Sequence, residues 1–174
     1  VHSMGGMISR YYIDRVMPAN DVAQLIILGT PMAGTACAIL PASLGVLLPA
    51  TLEIQPSYMT GVFNRQITRR HGVAFHGLAG TRILQSVQSP CSDVPSDLIV
   101  SSASVRAIPM PVKEMALLHT DLTAAPEVFE QFVAPLLRTA PGVFAPAESA
   151  DPAPAPPALQ YTRVFTGHIA PGEI

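Results

Sequence analysis

The first six residues, VHSMGG at positions 1–6, place a serine directly before a methionine and two glycines. Small residues suit a sharp turn between a strand and a helix, because the two elements approach each other closely there. Ser3 at such a turn exposes its hydroxyl, and the backbone N–H of Met4 points toward an anion that forms beside it. The stretch therefore predicts a nucleophile turn, and the alternative is that Ser3 only caps the following helix.

The residues after this turn predict an amphipathic helix that ends before Pro18. Apolar side chains recur there at the three- and four-residue spacing of one helix face, at Met4, Met7, Ile8, Tyr11 and Tyr12. We expect the intervening polar residues, among them Arg10 and Asp14, to lie off that face. The helix would then pack on a sheet through its apolar side alone.

Several short apolar segments predict an α/β fold with a parallel sheet. Residues 22–29, 72–80 and 113–119 are apolar runs of strand length, and the first two are closed by glycine. Residues 32–68 are apolar but broken by proline and glycine, which favours short helices and loops. A last helix is expected to start at Pro126, since proline is favoured at the first helical position. Strands alternating with helices are typical of an α/β sheet.

The overall composition excludes several classes of protein. Hydrophobic residues make up 49% of the chain and charged residues 13%, which indicates a sequence that forms a core. The net charge of −2 argues against a nucleic-acid partner. Residues 22–52 carry no charge, but Gly29, Pro31, Pro41 and Pro49 interrupt them. No uninterrupted apolar run long enough to span a membrane is left.

The cysteines and histidines give no sign of a metal or a cofactor. Cys37 and Cys91 match no zinc or redox spacing, and they either form a disulfide in an oxidising compartment or stay as two buried thiols. No pair of histidines has metal-ligand spacing with a carboxylate nearby. We therefore expect neither a metal nor a cofactor.

The composition changes near residue 140, which predicts a domain over residues 1–140. Residues 141–158 contain six prolines and six alanines, which is typical of a semi-rigid, extended linker. Residues 159–174 return to alternating apolar residues and predict the start of a further β module. A linker of this kind is typical of exported multidomain enzymes, which favours a secreted or periplasmic protein, although the cysteines leave the compartment open.

A nucleophilic serine needs a histidine base and a carboxylate to orient it. In one common order the acid follows the serine along the chain and the histidine comes last. Asp97 lies in a polar loop after a predicted strand, and His119 ends an apolar run. Asp93 is the alternative acid in the same loop. Asp121 is expected to cap the turn after His119.

The remaining histidines are expected to have other roles. His2 directly precedes Ser3, and neighbouring side chains of a strand point to opposite faces, so His2 is expected to be structural. His71, His76 and His168 have no pattern of partners. We expect them at the surface or hydrogen-bonded in the core.

Four short motifs follow one another in the order found in α/β-hydrolase lipases. They are HSMGG at 2–6, LGTPMAGT at 28–35, SDLIV at 96–100 and HTDL at 119–122. Through these motifs the chain resembles the lipases of that fold, and most of all the group of lipases and GPI inositol deacylases. The resemblance covers residues 1 to about 140. It implies the C-terminal half of a three-layer α/β-hydrolase sandwich with a parallel sheet.

The resemblance also implies a reaction and the residues that perform it. Ser3 would be the nucleophile, Asp97 the acid and His119 the base, with the N–H of Met4 as a donor to the oxyanion. The expected reaction is hydrolysis of a carboxylic ester through an acyl-enzyme. The alternatives are an acyltransferase with the same three residues and a catalytically incompetent fragment that acts only through structure or interactions.

The chain departs from the family pattern at several points. Val1 stands where the pattern has a glycine, and Met32 where relatives often have histidine. The strands that the family places before the nucleophile, with the loop that supplies another oxyanion donor, have no counterpart here. The expectation is therefore a fragment truncated at its N-terminus.

Residues 36–52 are apolar and suggest a lid over a pocket for an acyl chain. Such a lid would suit a small-molecule or lipid ester as substrate, and peripheral contact with a lipid surface. The alternative is that these residues belong to the core of an ordinary helix.

Overall fold

The structure, a computed structural model, describes residues 1–19, 21–39, 49–85 and 93–139. The linker predicted at 141–158 and the module predicted at 159–174 lie outside these residues, as do Cys91 and His168.

The helices of the described residues are mostly short. The α-helices are α1 (Gly5–Tyr11), α2 (Pro49–Glu53), α3 (Pro56–Tyr58), α4 (Asn64–Gln66), α5 (Ser102–Val105), α6 (Asp121–Ala124), α7 (Pro126–Val128) and α8 (Ala134–Arg138). Three π-helical segments continue α1, α3 and α7, at Tyr12–Val16, Met59–Phe63 and Phe129–Val133, and a 3₁₀ turn covers Ala36–Ile39.

Within the described residues, three parallel strands form the sheet in the order β1 (Gln24–Leu28), β2 (Ala74–Gly80) and β3 (Val112–Met115). The central strand β2 pairs with both neighbours, and all its residues are buried. His2 forms a parallel bridge with Leu28, along the edge of β1 that does not pair with β2. The predicted α/β class with a parallel sheet is confirmed.

Helices cover the sheet on both faces, because alternate side chains of each strand point in opposite directions. On one face Leu25 and Ile27 cluster with Ile13, which follows α1 in the chain. On the other face Leu78 of β2 clusters with Phe132, which lies in the π-helical segment Phe129–Val133. The result is a layer of helix, a layer of sheet and a second layer of helix.

The first helix buries a different face from the one that its apolar spacing predicts. Ile8 is 67% exposed and Tyr11 is 48% exposed, whereas Arg10 and Asp14 are only 5% and 4% exposed. The expectation that Arg10 and Asp14 lie off the buried face was wrong.

Hydrogen bonds from distant residues explain why these charged side chains are buried. The guanidinium of Arg10 donates to Asn64 Oδ1 and to the carbonyl of Ile67, both at 2.8 Å. The carboxylate of Asp14 accepts from the backbone N–H groups of residues 68 and 69, at 2.8 and 2.6 Å. A buried charge is tolerated when such partners replace water.

The third strand is shorter than predicted. β3 ends at Met115, so His119 lies in the loop beyond the strand and not at its last residue. The backbone N–H of Leu117 donates to the carbonyl of Met115 at 2.7 Å, which turns the chain away from the sheet.

The last helical stretch begins at Pro126, as predicted. Val128 and Phe132 are buried against the sheet, but Phe129 and Leu137 are 58% and 59% exposed. The apolar face is therefore narrower than the sequence pattern indicates.

The suggested lid at 36–52 falls mostly outside the described residues, because 40–48 are not among them. At its ends stand the 3₁₀ turn Ala36–Ile39 and helix α2. Cys37 is disulfide-bonded. Among the helices that the structure describes, none has the length and apolar character needed to cross a bilayer.

Helix α1 approaches the end of β1 at Gly6. A Cβ atom at Gly6 would lie 2.3 Å from Oγ1 of Thr30, whose hydroxyl donates to the carbonyl of Ser3 at 2.7 Å. At Gly5 the nearest atom to such a Cβ is 3.7 Å away, which is an ordinary contact. Gly6, rather than Gly5, therefore allows the helix to pack at this distance.

We predict that Gly6→Ala lowers the free energy of unfolding by about 1–3 kcal/mol, because the added methyl group forces Thr30 to move. Gly5→Ala is the matched control and should change it by less than about 1 kcal/mol, since alanine is a better helix former than glycine. Urea denaturation of both variants measures the difference. Equal effects of the two substitutions would contradict the close packing of Gly6 against Thr30.

Candidate active site

Ser3 lies at a tight turn between the pairing of His2 with β1 and the start of α1. Its φ angle of 51° is in the left-handed region, which costs a non-glycine residue about 1–3 kcal/mol. Hydrogen bonds hold it there: its N–H donates to the carbonyl of Leu28 at 2.9 Å, and its carbonyl accepts from Thr30 and from the N–H of Gly6. The Ser3 hydroxyl thus has a fixed place at the carboxyl end of the sheet.

Asp97 lies beyond the carboxyl end of β2, and its side chain is fully buried. Its Oδ1 atom accepts hydrogen bonds from the N–H groups of Ile99 and Val100, at 2.9 and 2.7 Å. The chain reverses through Leu98, whose φ angle is 88°. Gly80 makes room, because a Cβ atom there would lie 2.6 Å from Cβ of Asp97.

His119 connects these two residues. Its Nδ1 atom is 2.7 Å from Oδ2 of Asp97, and its Nε2 atom is 3.0 Å from Oγ of Ser3. A carboxylate only accepts, so Nδ1 carries the ring proton and Nε2 of the neutral ring offers a lone pair to the serine hydroxyl. The backbone N–H of His119 also donates to the carbonyl of Asp97 at 2.9 Å. The structure therefore brings Ser3, His119 and Asp97 together in one hydrogen-bonded row.

The alternative acids lie elsewhere. Asp93 is exposed, and Asp121, at the start of α6, accepts from the N–H of Leu118 at 3.2 Å. Among the described residues, Asp97 is the carboxylate hydrogen-bonded to the ring of His119.

Gly29 is a site residue that the sequence reasoning missed. Its φ angle is 55°, and a Cβ atom there would lie 2.6 Å from Leu122, 3.1 Å from Oδ2 of Asp97 and 3.2 Å from Nδ1 of His119. A side chain at this position would force the ring of His119 and the carboxylate of Asp97 apart and break the hydrogen bond between them. A glycine that directly ends an apolar strand was the available signal.

The position of His2 next to Ser3 predicted that its side chain points away from the site, but it points toward His119. Its ring centroid is 4.5 Å from that of His119, and its Nε2 atom is 3.1 Å from the carbonyl oxygen of His119. The alternation of a strand fails here because Ser3 is already in a turn. Since a carbonyl only accepts, Nε2 of His2 carries a proton and donates it.

Burial lowers the pKa of His2, and the nearby ring of His119 lowers it further. The hydrogen bond to the His119 carbonyl and the charge of Asp97 act in the opposite direction. The neutral form of His2 is thus the one that the fold prefers.

The other positions named from the sequence lie apart from this row. Met32 is fully buried, with its sulfur 3.5 Å from Nη1 of Arg10. His71 is exposed, and His76 is buried in β2. In the part of the chain that the structure describes, no group of three or more His, Cys, Asp or Glu side chains is placed to hold a metal ion.

A mostly apolar cavity of about 310 Å³ is bordered by Met4, the residue that follows Ser3. Met4 and Met7 line it from one side, and Met59 and Phe63 from the other. The exposed side chain of Ile8 also faces it. The backbone N–H of Met4 donates no hydrogen bond to the described residues, so it is available to a ligand.

Two crystal structures of the Bacillus licheniformis lipase BlEst2 are similar to this chain. The mature form has a TM-score of 0.64 and 21% identity, and the match covers 78% of this chain and 63% of that chain. The propeptide form has a TM-score of 0.68 and 20% identity, and the match covers 86% of this chain and 37% of that chain. The likeness shows a lipase-like fold. This chain spans 63% of the mature lipase, which is less than two thirds of its length.

No family model matches the sequence, and no curated protein matches it. The similarity therefore rests on the fold, and the chemistry has to be argued from the residues themselves.

We predict that acid destabilises the fold partly through His2. Because its pKa is lower in the folded chain, the unfolded chain takes up the proton first. The contribution of His2 to the free energy of unfolding is full above about pH 6.5 and is lost as the pH falls below it. His2→Gln keeps an N–H donor but does not titrate, so it should reduce this loss.

Urea denaturation between about pH 8 and pH 5 measures the effect. The control is His71→Asn, since His71 is exposed and asparagine tolerates its φ angle of 50°. Burial lowers the pKa of His76 as well, and that contribution stays the same in both variants. An identical pH dependence in His2→Gln and the unaltered chain would contradict the prediction.

Proposed function

We propose that the chain is a serine hydrolase of the lipase or esterase type, which cleaves carboxylic esters. The observation that carries the proposal is the ring of His119, which lies 3.0 Å from Oγ of Ser3 and 2.7 Å from Oδ2 of Asp97. Nucleophile, base and orienting acid are the parts that ester hydrolysis needs. The lipase-like fold supports the same reaction class.

In the first step Oγ of Ser3 attacks the ester carbonyl carbon, and its proton passes to Nε2 of His119. The ring becomes an imidazolium, which the carboxylate of Asp97 stabilises through the hydrogen bond from Nδ1. Because Asp97 is buried and held by two backbone N–H groups, it does not have to reorganise as the charge forms.

The ester oxygen becomes negatively charged as the tetrahedral intermediate forms. The N–H of Met4 is the donor that this chain offers to it, since it follows the nucleophile directly and has no partner among the described residues. Each such donor typically contributes about 10²–10³ in rate.

The intermediate then breaks down. Protonated His119 gives its proton to the leaving alcohol, and an acyl group stays on Ser3. Water, deprotonated by His119, releases the acid and restores the hydroxyl. No cofactor takes part in these steps.

The substrate that fits best is an ester with an apolar acyl group. The cavity of about 310 Å³ is lined mostly by methionine, isoleucine and aromatic side chains, and one of them, Met4, directly follows the proposed nucleophile in the chain. Burial of apolar surface contributes roughly 0.8 kcal/mol for each methylene group. Nitrophenyl esters with acyl chains of increasing length therefore test the proposal directly.

We predict that Ser3→Ala lowers kcat/KM on nitrophenyl butyrate and octanoate by at least about 10³, because the nucleophile is lost. Ser9→Ala is the control, since it removes a hydroxyl from the same helix without touching His119. Circular dichroism checks that both variants are folded. Activity that survives in Ser3→Ala would overturn the nucleophile, and a folded chain that cleaves none of the esters would favour the catalytically incompetent alternative.

We further predict that Asp97→Asn lowers kcat by about 10³–10⁴, because an amide cannot hold the Nδ1–H tautomer of His119 or stabilise its positive charge. Asp93→Asn, the change to the exposed carboxylate of the same loop, should leave kcat unchanged. Steady-state kinetics of the two variants decide which of the two carboxylates orients His119. A larger loss in Asp93→Asn would reverse the assignment.

A further inference from the structure

A second cavity, of about 230 Å³, is bordered by Arg10 of α1, Asn64 of α4 and Phe75 of β2. Three arginines line it, Arg10, Arg69 and Arg70, and no carboxylate is among its lining residues. The other polar groups on its wall are Asn64 and Thr68. This second cavity has no part in the proposed ester hydrolysis. Its lining residues differ from those of the apolar cavity, except for Ile67, which lines both.

Arg70 is the first unusual feature of this cavity. Only 7% of it is exposed, and its guanidinium lies over the ring of Phe75 at 4.4 Å. One N–H donates to the carbonyl of Pro109 at 2.6 Å. Arg70 forms no ion pair with a described residue, so most of its five N–H donors and its whole charge remain without an acidic partner there.

Arg10 adds a second charge of the same kind. It donates to Asn64 and to the carbonyl of Ile67, which are neutral, and forms no ion pair with a described residue. Burial lowers its pKa to about 10, and the positive charge of Arg70 contributes to that shift. Asp14 acts in the opposite direction, but its oxygens are bonded to Arg15, Arg69 and backbone N–H groups.

Two buried guanidinium groups that repel each other are costly unless an anion compensates them. Their N–H groups match the oxygens of a phosphate group, to which arginine binds through paired hydrogen bonds. A phosphate group carries close to two negative charges at neutral pH, which balances Arg10 and Arg70. Arg69 also lines the wall; its side chain is 49% exposed, and its Nη2 atom pairs with Oδ1 of Asp14 at 3.3 Å.

We propose that this cavity, the arginine cavity, is a binding site for a phosphate group, held by Arg70 and Arg10 with Arg69 at its wall. The site is independent of ester hydrolysis and would exist even if Ser3 were inert. The phosphate group belongs either to the free inorganic ion or to a small phosphate ester.

The test is isothermal titration calorimetry of the full chain at low ionic strength, with inorganic phosphate in one arm and glycerol 3-phosphate in the other. A titration with sodium chloride at the same ionic strength gives the background heat. Saturable binding that also raises the Tm is expected in at least one arm. Similar affinity in both arms identifies the phosphate group itself as the ligand, and tighter binding of glycerol 3-phosphate identifies a phosphate ester.

Arg70→Gln should weaken binding by about tenfold or more, because a charge-assisted donor is lost. Arg69→Gln is the second variant: its side chain is 49% exposed, and Asp14, with which it pairs, keeps Arg15 and two backbone N–H groups as partners. Arg65→Gln is the matched control: Arg65 is exposed, lies on α4 and does not line the cavity. The absence of saturable binding in both arms, or binding unchanged in both Arg70→Gln and Arg69→Gln, would overturn the proposal.

Discussion

The contact between His119 and Asp97 is the interaction on which the arrangement of the site depends. It joins the loop after β3 to the loop after β2 twice, once through the ring and once through the backbone. Because the carboxylate is fully buried, these hydrogen bonds are stronger than they would be in water. Gly29 and Gly80, at the ends of neighbouring strands, leave the space that this contact needs.

Helix α1 is fixed by polar contacts as much as by apolar ones. Its first turn follows Ser3, and its buried Arg10 reaches the segment around α4, which lies far away in the sequence. Asp14, in the π-helical segment that continues α1, holds the residues after α4 through their backbone N–H groups. These bonds orient the helix that follows Ser3, and they leave its apolar side chains Ile8 and Tyr11 facing a cavity.

The two cavities that residues of α1 line differ in chemistry. The one lined by Met4 is mostly apolar and suits the acyl group of the proposed substrate, whereas three arginines and no carboxylate line the arginine cavity. Ile67 lines both. An apolar ligand and a phosphate group would therefore bind to neighbouring but distinct sites.

The sequence by itself determined the elements that depend on local patterns. Apolar runs closed by glycine predicted β1 and β2, Pro126 predicted the start of the last helix, and the order of motifs singled out Ser3, Asp97 and His119. These signals are local because propensity and turn chemistry act over a few residues.

Tertiary structure alone decided the rest. The buried face of α1 depends on partners of Arg10 and Asp14 that come from residues 64–69, and no periodicity within the helix reveals them. The side-chain direction of His2 follows from the left-handed turn at Ser3, which hydrogen bonds to distant residues impose. The role of Gly29 appears only when β1 lies beside the Asp97 loop. In each case the deciding contact joins parts of the chain that are remote in sequence, so folding had to bring them together first.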